Sequence, residues 1–240
     1  MSRLARIEFP GALYHVTARG NRRNHIYLDE RDYLIWQDLL AQTVERFNLV
    51  VHGFCQMPNH FHLLVETPDG NLAAGMQFLN GVYAQHFNAR HELVGHVIQG
   101  RYHAVLLQKQ SHLLELARYI SLNPVRAQLV SDPLEWRWSS HRAMLNPRSA
   151  PRWLTTAWLL SQFAQAVPET AYQEFVHAGC QPSCVGSISL DDYASRYANR
   201  DEALIAAFRS GAFRMYELAQ HFGISAKTVS RLLRKQKDAD

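Results

Sequence analysis

MPNHFHLLVE (57–66) is the stretch on which the reading of this chain turns. Side chains alternate across a β-strand, so His60, His62 and Leu64 share one face while Phe61, Leu63 and Val65 share the other. The second set is apolar enough to anchor the strand in a core, and the first brings two imidazoles together. Two histidines are too few to close a structural zinc site. With a third side chain and substrate oxygens they can hold a catalytic divalent ion. In a chain with 13 histidines the pair alone is weak evidence, so a third donor has to be sought elsewhere.

Working outward, VVHGFCQM (50–57) is a second β-rich run, and Pro58-Asn59 between the two suits a turn; together they predict a hairpin. GALYHVTARG (11–20) alternates as a strand. DERDYLIWQDLLAQTVERF (29–47) spaces Tyr33, Trp36, Leu40, Val44 and Phe47 as a helix, as NLAAGMQFLNGVYAQHFNAR (71–90) does with Leu72, Met76, Leu79, Tyr83 and Phe87. A strand around RYHAVLLQ (101–108) completes the order β-α-β-β-α-β. That order predicts an α+β fold, a split β-α-β antiparallel sheet with helices on one face.

A further helix follows in SHLLELARYISLNPVRAQLV (111–130), with Ser111 able to cap it and Leu113, Leu116, Ala117 and Ile120 as its buried stripe. Tyr119 and Asn123, at i and i+4, lie on one face at the edge of that stripe. The pair would present a phenol and an amide together, with Asn123 able to join the histidines around a metal. Pro124 is expected to end the helix. The alternative leaves Tyr119 as an amphipathic boundary residue and Asn123 as a C-cap.

From about 145 to 200 prolines punctuate two expected helices, LTTAWLLSQFAQ and ETAYQEFVHAG. The last forty residues read as a separate unit. MYELAQHFGISAKTVSRLLRK (215–235) has the form of a helix-turn-helix, with a Gly223-Ile224-Ser225 turn and a second helix loaded with Lys227, Arg231 and Arg234 for phosphates and base edges. The expected division is 1–145, a connecting helical segment 146–199, and 200–240.

The net charge of +4 mildly favours a polyanionic partner. Three cysteines, Cys55, Cys180 and Cys184, cannot all pair and do not form a zinc ribbon. No apolar run approaches bilayer length and no leader is evident, so a cytoplasmic protein without a membrane partner is expected.

Five motifs in order carry a resemblance: ARGNRRNHIY (18–27), MPNHFHLL (57–64), QGRYHAVLL (99–107), ARYISLNPVRAQLV (117–130) and WRWSSHRAM (136–144). Over residues 1 to 145 the chain resembles the REP-associated tyrosine transposases, a branch of the single-tyrosine HUH transposases. The resemblance implies a ferredoxin-like catalytic domain in which His60 and His62, helped by Asn123, bind a divalent metal, magnesium or manganese. It also implies Tyr119 as the nucleophile that cleaves and rejoins single-stranded or hairpin DNA through a 5′-phosphotyrosine, in a monomer or homodimer. Arg19, Asn21, Arg22, Arg23, Arg101 and Tyr102 become candidates for contacting DNA. Trp136 and Trp138 are expected to pack rather than stack on bases. Ser121, where the family often has histidine, and Gln128, where it often has glycine, depart from the pattern. A second reading keeps the scaffold as a non-catalytic regulator that binds DNA through residues 215–237.

Overall fold

A computed structural model describes residues 8–107, 110–163, 167–180, 190–197, 199–209, 215–225 and 228–232. They fall into two compact units, residues 1–180 and 181–240.

The first unit is built on four strands, β1 (Ala12–Arg19), β2 (Val50–Met57), β3 (His60–Thr67) and β4 (His103–Leu106). They are ordered β2-β3-β1-β4, with every neighbouring pair antiparallel. Between them run α1 (Glu30–Arg46) and α2 (Leu72–His91). The side chain of Asp29 caps α1 by accepting from the Asp32 backbone N–H at 3.2 Å, satisfying a donor that the helix itself leaves unpaired.

Period two divides the sheet. Ala12, Tyr14, Val16 and Ala18 of β1, with Phe61, Leu63 and Val65 of β3, are buried in one core with Trp36, Leu40, Leu79 and Tyr83 of α1 and α2. The expected hairpin and its anchor residues are therefore present as read. The opposite face is not bare. α3 (Gln110–Arg126) lies across it, and Leu113, Ala117 and Ile120 join Cys55, Met57 and Leu64 in a second core, with Leu159, Leu160, Tyr172 and Val176. These last come from α5 (Ala157–Leu160) and α6 (Pro168–Ala178); the short α4 (His141–Leu145) precedes them.

β2 would otherwise offer an open edge, a hazard for unwanted pairing. The chain beyond α3 covers it: Gln56 N–H donates to Trp138 O at 2.8 Å, Ser140 N–H to Phe54 O at 2.9 Å and Thr155 N–H to Val51 O at 2.8 Å. Trp138 is buried and stacks on Tyr33 at 4.3 Å, and Trp136 donates its indole N–H to Gln56 O at 2.9 Å, so both tryptophans serve packing.

Pro124 does not end α3, contrary to the sequence expectation; the helix runs on to Arg126. A proline so near a C-terminus deletes one i to i−4 bond and little else, because few turns remain to be lost. The stop comes at Gln128, in left-handed conformation at φ 57°. A glycine would sit there without strain.

In the second unit, α7 (Leu190–Arg196), α8 (Arg200–Arg209) and α9 (Met215–His221) surround Leu204, Ala207, Leu218, Ala219 and Val229. Gly223 turns the chain at φ 64°, and the Ser225 hydroxyl accepts from Thr228 N–H at 3.1 Å, capping the helical residues 228–232. Among the described residues no helix is long and apolar enough to cross a membrane.

Candidate active site

Pairing in the sheet assembles this site. β1 and β3 are in register with Arg19 opposite His60, Thr17 opposite His62 and His15 opposite Leu64, so all six share the face that α3 crosses. On β4, His103 lies opposite Thr17 and is exposed.

α3 lowers Tyr119 onto this face. Its ring meets His62 edge-on with centroids 5.5 Å apart and His15 with centroids 6.2 Å apart, while the phenol stays 38% exposed and open to a substrate. One turn on, the Asn123 Nδ2 donates to the Tyr119 carbonyl at 3.0 Å. That orients its Oδ1 as the atom able to meet a cation. The Asn123 side chain also interacts with the His62 imidazole. The structure thus brings Tyr119, His60, His62 and Asn123 together.

His60 and His62 meet edge to face at 4.9 Å, and His15 stacks on His62 at 5.2 Å with its Nε2 2.9 Å from the Nδ1 of His62. His15 is a site residue that sequence reading missed. Its alternation on β1 was visible, but its partner lies 47 residues away. Arg126 was missed too, because Pro124 was read as a terminator. The longer helix puts its guanidinium 5.3 Å from the Tyr119 ring.

Burial drives these imidazoles toward the neutral form. His62 is pushed down to about 3, with His60 and His15 adding to the effect, and His60 to about 4, with Arg19 adding. Burial, with His103 beside it, also lowers His15 to about 4. All three therefore keep lone pairs at neutral pH. The consequence for stability has a definite sign. Below about pH 6.5 the unfolded chain takes up protons that the folded histidines refuse until about pH 4 or lower. Stability is then lost as pH falls through that window, by at most about 1.4 kcal/mol per pH unit for each histidine. Urea titrations of the metal-free protein are expected to give a lower midpoint at pH 5 than at pH 7, and equal midpoints would contradict the burial of neutral imidazoles.

The other predicted positions are more dispersed. Arg19 is exposed beside the histidines. Asn21, Arg22 and Arg23 form a 3₁₀ turn that lines a groove of about 750 Å³ with His25, His96 and Val94. Arg101 is exposed, whereas Tyr102 is buried with its hydroxyl toward Glu8 at 3.5 Å. Arg231 is exposed in the second unit; Lys227 and Arg234 lie outside the described residues. Among the described residues no three His, Cys, Asp or Glu side chains are grouped to hold a metal. Beside His60 and His62, Asn123 offers a donor of another type.

Comparison with known proteins bears on this arrangement. Residues 9–123 match the family described as transposase, IS200 like. The fold is similar to a solved REP-associated tyrosine transposase bound to a REP hairpin, with 17% identity over 65% of this chain and 92% of that one, and a TM-score of 0.53. A candidate transposase from Deinococcus radiodurans is 18% identical over 50% of this chain and 95% of that one, with a TM-score of 0.36. The tRNA(His) guanylyltransferase of Saccharomyces cerevisiae is 9% identical over 74% and 81%, with a TM-score of 0.40. No curated protein matches the chain. Residues 9–123, the stretch that holds β1 to the end of the Tyr119–Asn123 turn, are thus similar to the IS200-like transposases, and the fold is similar to that of a REP-associated tyrosine transposase.

Proposed function

We propose that this chain is a transposase, a metal-dependent single-strand DNA endonuclease and strand transferase that cleaves and rejoins DNA at repeated palindromic hairpins through Tyr119. The observation that carries the reading is the meeting of an exposed phenol from α3 with the His62 imidazole of β3, which in turn lies edge to face with His60 on the same sheet face. The residues fit a divalent ion: the Nε2 of His62 is buried without a hydrogen-bond partner, an arrangement that leaves a lone pair for a metal. His60, His62 and Asn123 would hold the ion, magnesium or manganese, which when bound offsets negative charge developing on the phosphate.

The chain's own groups supply the rest. The Tyr119 oxygen gives up its proton and forms a bond to phosphorus as the bond from phosphorus to the 3′ oxygen breaks. The 3′ oxygen takes up a proton, so the products are a free 3′-hydroxyl and a 5′-phosphotyrosine. The reverse step reseals or transfers the strand with no nucleotide cofactor. Arg126 against the Tyr119 ring and Arg19 beside His60 set cations where the phosphate backbone would pass. The groove at Asn21, Arg22 and Arg23 suits hairpin phosphates, and the exposed Arg101 lines a neighbouring groove that shares Gly95, His96 and Val97 with it. In this reading residues 1–145 hold the chemistry, and residues 200–240 add DNA affinity through a helix-turn-helix with Lys227, Arg231 and Arg234.

The test uses the purified chain, manganese and a 3′-end-labelled single-stranded palindromic hairpin. The label is expected to move into a protein-sized band on a denaturing gel. A released labelled fragment with no protein band would replace Tyr119 by water as attacking group. Hairpin that is bound but never cut would leave a regulator.

A further inference from the structure

The two imidazoles of the site are each held from behind, and the partners are specific enough to assign protons. The Oδ1 of Asn59 lies 2.7 Å from the Nδ1 of His60, while the Nδ2 of the same amide donates to the Arg23 carbonyl at 3.0 Å. A carbonyl only accepts, so the second contact fixes which way the amide points. The oxygen then faces His60, and His60 must carry its proton on Nδ1. Its Nε2 is left with the lone pair.

His62 reaches the same state by another route. Its Nε2 is buried with no hydrogen-bond partner, and a proton there would be an unsatisfied buried donor. Its Nδ1 meets the Nε2 of His15 at 2.9 Å. The arrangement that leaves no buried donor unpaired has Nδ1–H of His62 donating to His15. Both Nε2 atoms then present lone pairs on the sheet face shared with Tyr119.

We infer that Asn59 and His15 are positioning residues that lock His60 and His62 in the Nδ1–H tautomer required for metal binding through Nε2. The inference rests on the proposed metal site and goes beyond it by assigning residues outside the proposed ligand set. Asn59 is more than the turn residue of MPNH: it also ties His60 to the turn at Asn21–Arg23, since its carbonyl accepts from Gly20 N–H at 2.8 Å. A disturbance of that turn is thereby passed to a ligand.

Two measurements test it. Long-range nitrogen–proton NMR of the metal-free protein is expected to show both histidines as Nδ1–H in the wild type, with mixed tautomers at His60 in Asn59→Ala and at His62 in His15→Ala. Manganese binding, read by electron paramagnetic resonance of the free ion without DNA, is expected to weaken about 10–100-fold in each alanine variant. His15→Gln, whose amide oxygen can still accept from His62, is expected to restore most of the affinity, a rescue that a purely structural role would not show. An Nε2–H tautomer at either histidine in the wild type overturns the inference, as does unchanged manganese affinity in both alanine variants. Failure of the wild type to bind manganese would overturn the metal site instead, and the tautomers would still decide the assignment.

Discussion

Tyr119→Phe is expected to lower covalent trapping and strand cleavage by at least on the order of 10³-fold while leaving the protein folded and able to bind hairpin DNA. Phenylalanine keeps the ring that meets His62 edge-on and that lies under Arg126. The phenol is exposed, so no buried hydrogen bond is lost with the hydroxyl. What disappears is the oxygen proposed to bond phosphorus. Manganese affinity and hairpin affinity measured beside cleavage make the result specific, since both should stay within about twofold while the adduct vanishes. A variant that still trapped labelled DNA would move the nucleophile elsewhere.

Gly20→Ala is expected to destabilise the protein by about 1–3 kcal/mol and to weaken hairpin binding together with it. The reason is space rather than backbone freedom, because the φ of Gly20 is an ordinary −60°. A methyl group there would lie 2.1 Å from the Asn24 carbonyl oxygen and 2.9 Å from the Ile26 side chain. The turn that would have to move is strained already, with Arg22 at φ 53° and Arg23 at φ 64°, and its Arg23 carbonyl is what the Asn59 amide grips. Thermal unfolding should fall by roughly 2–10 °C. Gly81→Ala is the control of opposite sign: an added methyl meets nothing within 4 Å, and alanine favours the α2 helix by roughly 0.5–1 kcal/mol.

The parts of this molecule that sequence alone revealed are those whose signal is local. The hairpin follows from period-two alternation on both sides of Pro58-Asn59, and α1 and α2 from stripes at helical spacing. His60 and His62 share a face for the same reason, and Tyr119 and Asn123 are one helical turn apart by arithmetic. What stayed hidden depends on distance in the chain. His15 matters because β1 pairs with β3, a registration no local pattern displays. Arg126 was obscured by weighing a proline as a stop where it was only a missing bond in a last turn. Nothing in ETAYQEFVHAG reveals that Tyr172 is buried with its hydroxyl 2.8 Å from Ser121, two residues past Tyr119 on the opposite face of α3. That hydroxyl also meets His141 at 3.2 Å, so residues well beyond the matched family region help seat the tyrosine helix.

The make-up of the candidate ligand set has a further consequence. Two imidazoles held neutral by burial and one amide bring no negative charge to a divalent ion. An ion there would keep its full double charge, so its affinity for the protein alone is modest, while its attraction for a DNA phosphate is undiminished. Metal and DNA are then thermodynamic partners: each raises the affinity of the other by the same factor, as linkage requires. A site of this kind would stay idle when either is scarce, and under the proposed function the metal would be committed chiefly when a strand is present to be cut.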